Sequence, residues 1–114
     1  MISGISSSLS GLAVFSRKLS VSAHNVANVN TDEFKETRAT IAEDKNGLPR
    51  LNTKTIGTPG PIIEESDGSR RGLSNVELAR EVPEMSLSQR GYEANIKALK
   101  IQDEMIGTLL DMIG

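Results

Sequence analysis

The chain has no cysteine and no tryptophan, and its aromatic content is one tyrosine and two phenylalanines in 114 residues. Without cysteine there are no disulfides, no thiol chemistry and no cysteine-ligated metal. A single histidine, His24, and the lack of any glycine-rich phosphate cradle leave no base, nucleophile or cofactor site around which catalysis is organised, so no enzyme and no cofactor are expected. Charge of one sign is also missing. Thirteen Lys plus Arg stand against fifteen Asp plus Glu, a formal net of −2, with the cations scattered along the chain; counterion-driven binding to nucleic acid is therefore not expected. Gly and Ser interrupt every apolar run. No segment is apolar enough to span a bilayer, and Met1 to Lys18 has neither the basic lead nor the apolar centre of a secretory signal. A chain of this kind that leaves the cytoplasm needs a route that reads no such signal. With 37% hydrophobic residues, the core it can bury alone is small.

What the chain does have is two long heptad patterns. Ile2, Ile5, Leu9, Leu12, Ser16, Leu19, Ala23 and Val26 follow one another in alternating steps of three and four, the spacing of a seam on one long helix. Gly4, Gly11 and many serines on its other faces make this helix marginal by itself, each glycine costing about 1 kcal/mol against alanine. A second seam runs through Leu78, Val82, Met85, Gln89, Tyr92, Ile96, Leu99, Asp103, Ile106, Leu110 and Ile113. Ser74 with Glu77 three residues on reads as a capping box that starts this helix, and Pro83 predicts a kink or a fresh start between Arg80 and Glu84.

Between the seams the chain changes character. Thr37, Thr40, Ile41, Thr53, Thr55 and Ile56 favour strands, and Asn46-Gly47 is a tight-turn dipeptide, so a short hairpin is predicted with Pro49 confining its second strand to an edge. Gly57 to Pro61 continues neither helix nor sheet, and Glu64 to Gly72 reads as a solvated loop. Glu64, Glu65 and Asp67 lack the ligand alternation of a calcium loop, Arg70-Arg71 reads as a solubilising pair, and His24 as a structural histidine. The fold class expected is mainly α: two long antiparallel terminal helices with heptad seams, joined by a short β-hairpin and loop insert. The divisions are 1–30, 31–72 and 73–114. The inner contact is expected through Ile5, Leu9, Leu12, Leu19 and Val26 against Tyr92, Ile96, Leu99, Ile106 and Leu110, with further coverage from other subunits, because the insert is too small to cover two long seams.

The stretch from Ser22 to Lys35, SAHNVANVNTDEFK, resembles the N-terminal signature of flagellar basal-body rod and hook proteins through Ser22, Asn25, Ala27, Asn28, Thr31, Phe34 and Lys35. It carries one extra residue between the serine and the first asparagine. Glu33 stands where that family has glycine, which disfavours a turn of positive φ there. Near the other end, Ser74-Asn75-Val76-Glu77 and Gln89-Arg90-Gly91-Tyr92-Glu93-Ala94-Asn95 resemble the family's C-terminal helix, Gly91 and Pro83 being departures from its usual helix formers. The two signatures cover about two thirds of the chain, and the short middle segment is most similar to the short proximal-rod proteins of the C type. The resemblance implies a structural subunit, exported by the flagellar type III apparatus without a cleaved signal. Such subunits assemble with themselves and other rod proteins into a tube of coiled-coil ends in the periplasmic rod of the basal body, with no direct membrane insertion. A soluble adaptor or export-linked binding protein that keeps the axial ends is the alternative.

Overall fold

The computed structural model describes residues 2–114; Met1 and the side chain of Ile2, the first residue of the N-terminal seam, lie outside the described residues. Helix α1 spans Ile2–Ala27 and helix α2 spans Leu78–Ile113, so just over half of the chain is helical. The helices run antiparallel, and the molecule measures 80 × 25 × 14 Å. At 1.5 Å per residue α1 is about 39 Å long and α2 about 54 Å. With Gly4 opposite Gln102, the last turns of α2 run past the start of α1.

The hairpin forms where the strand formers and the turn dipeptide place it. Strands β1 (Thr37–Glu43) and β2 (Pro49–Thr55) pair antiparallel, Thr37 opposite Thr55 and Glu43 opposite Pro49. Gly47 takes φ +75 at the turn, and Asp44 Oδ1 accepts the Asn46 and Leu48 N–H groups. The half-buried positions Thr37, Ala39, Pro49 and Leu51 share the face towards the helices, as the period of two requires.

Three expectations need correction. Residues 64–72 do not form a plain loop: β3 (Ile62–Glu64) and β4 (Arg70–Gly72) make a second hairpin around Gly68 at φ +85. Its ends are tied by Arg70 to Glu64 at 2.9 Å, and Arg71 lies 3.5 Å from Asp32 and 3.6 Å from Glu65, so the Arg pair does more than solubilise. The capping box does not form. The Ser74 hydroxyl accepts from the Val76 N–H at 3.2 Å, and α2 starts after Glu77, whose side chain makes no cap bond. Nor does the helix start afresh at Pro83: α2 is one run, with Pro83 in its second turn, where the ring removes a single backbone donor. No described helix is long and apolar enough to cross a membrane.

Candidate functional site

The stripe through which the two helices meet is not the apolar one. On α1 it runs Ser8, Gly11, Phe15, Lys18, Ser22 and Asn25; on α2 it runs Glu81, Glu84, Ser88, Gly91, Asn95 and Gln102. Ser8 Oγ donates to Gln102 Oε1 at 3.4 Å, Lys18 Nζ lies 2.9 Å from Glu84 and Asn25 Nδ2 donates to Glu81 Oε1 at 3.1 Å. Glycine permits the closest approaches: a Cβ on Gly91 would come within 2.5 Å of the Phe15 ring, and one on Gly11 would collide with the Asn95 amide. Ser8, Ser22, Ser88 and Asn25 are buried, and the only buried hydrophobic side chains among the described residues are Val14 and Val76.

The contact expected between the apolar seams is thereby corrected. The seam residues from Leu9 to Val26 on α1, and Val82, Met85, Gln89, Tyr92, Ile96 and Asp103 on α2, each lie one position after a residue of the inward stripe. One residue is about 100° around a helix of 3.6 residues per turn. Because the helices run in opposite directions, the same shift turns both seams to the same side of the pair. Ile5, Leu12, Leu19, Val26, Leu99 and Ile106 are half-buried there, while Leu9 is 54%, Tyr92 39% and Ile96 45% exposed. Leu110, 64% exposed, lies on α2 beyond the start of α1. The physical reason is packing distance: serine and glycine let the two backbones approach, and large seam residues cannot occupy the same narrow contact. A further apolar stripe on α2, Ile101, Met105, Leu109 and Met112, escaped the heptad reading because its steps are four, four and three; these four side chains are also exposed.

At the end of the pair nearest the hairpins, the motif residues converge on a polar joint. Asn25, 1% exposed, pairs with the Thr37 backbone as a neighbouring strand would: Nδ2 donates to the Thr37 carbonyl at 2.8 Å and Oδ1 accepts the Thr37 N–H at 3.0 Å. Asn75 does the same on the other side. Its Oδ1 accepts the Glu36 N–H at 2.6 Å, and its Nδ2 donates to the carbonyls of Ile56 at 2.9 Å and Thr58 at 2.8 Å. Two asparagines thus fasten the ends of the hairpin to the ends of both helices. Asn28 closes α1, donating to the His24 carbonyl at 2.9 Å and accepting from the Thr31 hydroxyl at 3.0 Å. Phe34 meets the His24 ring edge-on, centroids 5.6 Å apart, which accounts for the histidine structurally.

Glu33 adopts φ +58 in spite of its side chain. The turn expected to be disfavoured is therefore made, and local bonds offset its strain: the Glu33 N–H donates to the Gly72 carbonyl at 3.1 Å, and its carboxylate accepts the Gly72 N–H at 3.0 Å. Other motif residues stay outside the joint. Ala27 ends α1, Lys35 is half-buried without an ion pair among the described residues, and Arg90 is exposed. Gln89 bonds only Glu93, at 3.2 Å, and Asn95 the Gly91 carbonyl at 2.8 Å.

The charge at the centre of the joint was not legible beforehand. Glu36 is 1% exposed; Arg80 Nη2 donates to both of its oxygens, at 2.7 and 2.6 Å, and Arg38 Nη2 to one at 2.7 Å. Hydrogen bonding to Glu36 holds the Arg80 guanidinium proton above its ordinary affinity, against the opposing effect of desolvation. No group of His, Asp or Glu that could hold a metal occurs among the described residues.

Comparison with known proteins agrees with this frame. The family model for the C-terminal region of flagellar basal body rod FlgEFG proteins matches residues 73–112, and the model for flagella basal body rod proteins matches residues 5–35. The chain is 22% identical over 124 residues to the flagellar basal-body rod protein FlgC of Agrobacterium fabrum, covering 91% of this chain and 88% of that protein. It is 31% identical over 71 residues to the flagellar hook protein FlgE of Escherichia coli, and 40% identical over 67 residues to that of Helicobacter pylori. Those matches cover 62% and 59% of this chain but only 17% and 9% of the hook proteins, so the chain corresponds to a small part of their length.

Proposed function

The chain belongs to the flagellar basal-body rod family, and from that premise we propose that it is a structural subunit of the rod, assembled through the apolar side of its helix pair. One observation carries this reading: the two helices spend their small and polar stripes on each other and leave both apolar seams on one side, with Leu9, Tyr92 and Ile96 open to solvent. An apolar face of that length calls for a partner. Heptad-spaced neighbours of the same family supply a matching seam, so the partners are further copies and other rod proteins. The polar joint serves this role by holding helices and hairpin in one relative orientation, which a subunit in a regular lattice needs. Buried polar and charged groups of this kind are suited to specifying one geometry.

On this reading the protein resides in the periplasmic rod of the basal body, travels through the flagellar export apparatus without a cleaved signal and performs no catalysis. The departures from the family pattern at Glu33 and Pro83 do not disturb the frame, since Glu33 makes its turn and α2 continues through Pro83. Mass spectrometry of purified hook–basal bodies tests the assignment. The chain should be present in fixed ratio to the other rod proteins, and its absence from intact particles would refute it.

A further inference from the structure

The β1–β2 hairpin has two edges, and its hydrogen-bond ladder fixes which backbone groups each edge offers. At the ends of the strands the ladder continues with the Asp44 N–H donating to the Leu48 carbonyl at 2.8 Å and the Ile56 N–H to the Glu36 carbonyl at 2.9 Å. Bonded and unbonded couples alternate in an antiparallel pair, so in this register the even-numbered residues bond across it and the N–H and C=O groups of the odd-numbered ones point outward. Asn25 fits this parity, since it takes both outward groups of Thr37. The β1 edge is thus closed at its start, and Ala39 and Ile41 share a concavity of about 280 Å³ with Arg80 and Glu84 of α2. The β2 edge is open. Among the helices and strands β2 touches only β1 and α1, and the outward groups of Leu51, Thr53 and Thr55 have no backbone partner among the described residues.

The side chains beside the open edge are basic. Arg38, Thr40 and Ala42 on β1 and Arg50, Asn52 and Lys54 on β2 face away from the helices, with no acid among them. Arg50 bonds only Asn52, at 3.3 Å, and neither Arg50 nor Lys54 has an ion pair among the described residues. Thr53 and Lys54 border a surface concavity of about 240 Å³. Arg50 and Lys54 lie four residues apart, about 13 Å along the strand. Pairing the β2 edges of two copies would bring these cations together with no acid between them, which destabilises such a sheet. Nor does the chain have a free acidic strand to offer a second copy: Glu64 is held by Arg70, Glu65 lies by Arg71 and Asp67 accepts from Ser69.

We infer that the β2 edge is a strand-addition site for an acidic, extended segment of a different protein. The outward N–H and C=O groups of Leu51, Thr53 and Thr55 supply the main-chain bonds. Carboxylates four residues apart in the incoming strand then stand opposite Arg50 and Lys54, at the unbonded couples where cross-strand side chains come closest, and apolar residues between them take the face towards α1. The inference is independent of the rod-subunit reading, which uses the apolar side of the helix pair and stands whether or not this site exists.

The test uses the full-length protein and a capped peptide, Val-Glu-Val-Thr-Val-Glu-Val, with lysine in place of both glutamates as the control. In an NMR titration the glutamate peptide should shift the Leu51, Thr53 and Thr55 amides saturably and slow their hydrogen exchange, and the lysine peptide should bind about tenfold more weakly. Thr53→Pro removes an outward N–H that the ladder does not use and should abolish binding at unchanged helicity. R50E/K54E should reverse the preference between the two peptides, which a folding defect does not do. Unchanged exchange at the three amides in the wild type would overturn the inference and needs no variant to be read. Equal binding of the two peptides, full binding by Thr53→Pro, tighter binding of a short DNA duplex than of the glutamate peptide, or protection of these amides by self-association alone would each overturn it as well.

Discussion

Replacing Arg80 by alanine should destabilise the protein more than neutralising the acid it binds, although both changes break the same ion pair. The asymmetry follows from exposure. Glu36 is 1% exposed, whereas the Arg80 side chain is 36% and the Arg38 side chain 48% exposed. Arg80→Ala leaves a buried carboxylate with Arg38 alone. Breaking a buried pair in this way costs about 3–5 kcal/mol, and the remaining Arg38 contact places this case near about 3. In Glu36→Gln the freed guanidiniums regain water, and the amide still accepts a hydrogen bond, so the loss should be about 1–2 kcal/mol. Both figures are large for a domain held by about 5–15 kcal/mol. Urea unfolding followed by circular dichroism reads the difference as a shift in midpoint at constant slope. The raised proton affinity of Arg80 adds a sign: its contribution is fully present below the ordinary arginine range and is lost only above it, so the order of the two variants should not change between pH 6 and pH 9. Equal effects, or a larger loss in Glu36→Gln, would refute the claim that burial of the carboxylate sets the energetics of the joint.

Three further outcomes follow from other parts of the molecule. Gly91→Ala should destabilise by about 1–2 kcal/mol, since overpacking against Phe15 outweighs the gain in helix propensity, and Phe15→Leu in the same chain should recover part of the loss in thermal melts. Glu33→Ala keeps the positive φ but loses the carboxylate bond to Gly72, and should cost about 1 kcal/mol, whereas Glu33→Gly loses the same bond while relieving the strain and should fall near zero in the same melts. Hydrogen bonds from the Ser69 hydroxyl, and then from its backbone N–H, hold Asp67 below the ordinary carboxylate value of 3.8. The order this gives the β3–β4 turn is present above that value and lost as pH falls through the lower folded one, and the protection of the Ser69 amide in hydrogen exchange should fall accordingly between pH 5 and pH 2.

The helix–hairpin–helix frame was legible because it rests on local signals: two heptad patterns, a run of threonines and isoleucines, and Asn46-Gly47. The β3–β4 hairpin was not, since Glu64, Arg70 and Arg71 have no strand propensity and pair through their charges and the turn at Gly68. The helix contact was read one residue out of register on both helices. Apolar spacing reports that a seam exists, but Ser8, Gly11, Ser22, Ser88 and Gly91 form a contact through smallness and hydrogen bonding, which a hydrophobic pattern does not register. Asn25 and Asn75 were singled out by family resemblance, while their work as mimics of strand backbone is visible only once Thr37 and Glu36 come beside them. Glu36 gave no sign, because nothing in a sequence separates a carboxylate buried between two arginines from one in water.

Disulfide trapping within assembled basal bodies tests the central claim most directly, since a chain without native cysteine forms only the links that are introduced. Leu9→Cys and Ile96→Cys should each cross-link in intact particles to neighbouring subunits, giving new bands that contain this chain, while Arg90→Cys, on an exposed position away from the apolar side, should give none. No links at Leu9 and Ile96 in particles that contain the protein would contradict assembly through that face.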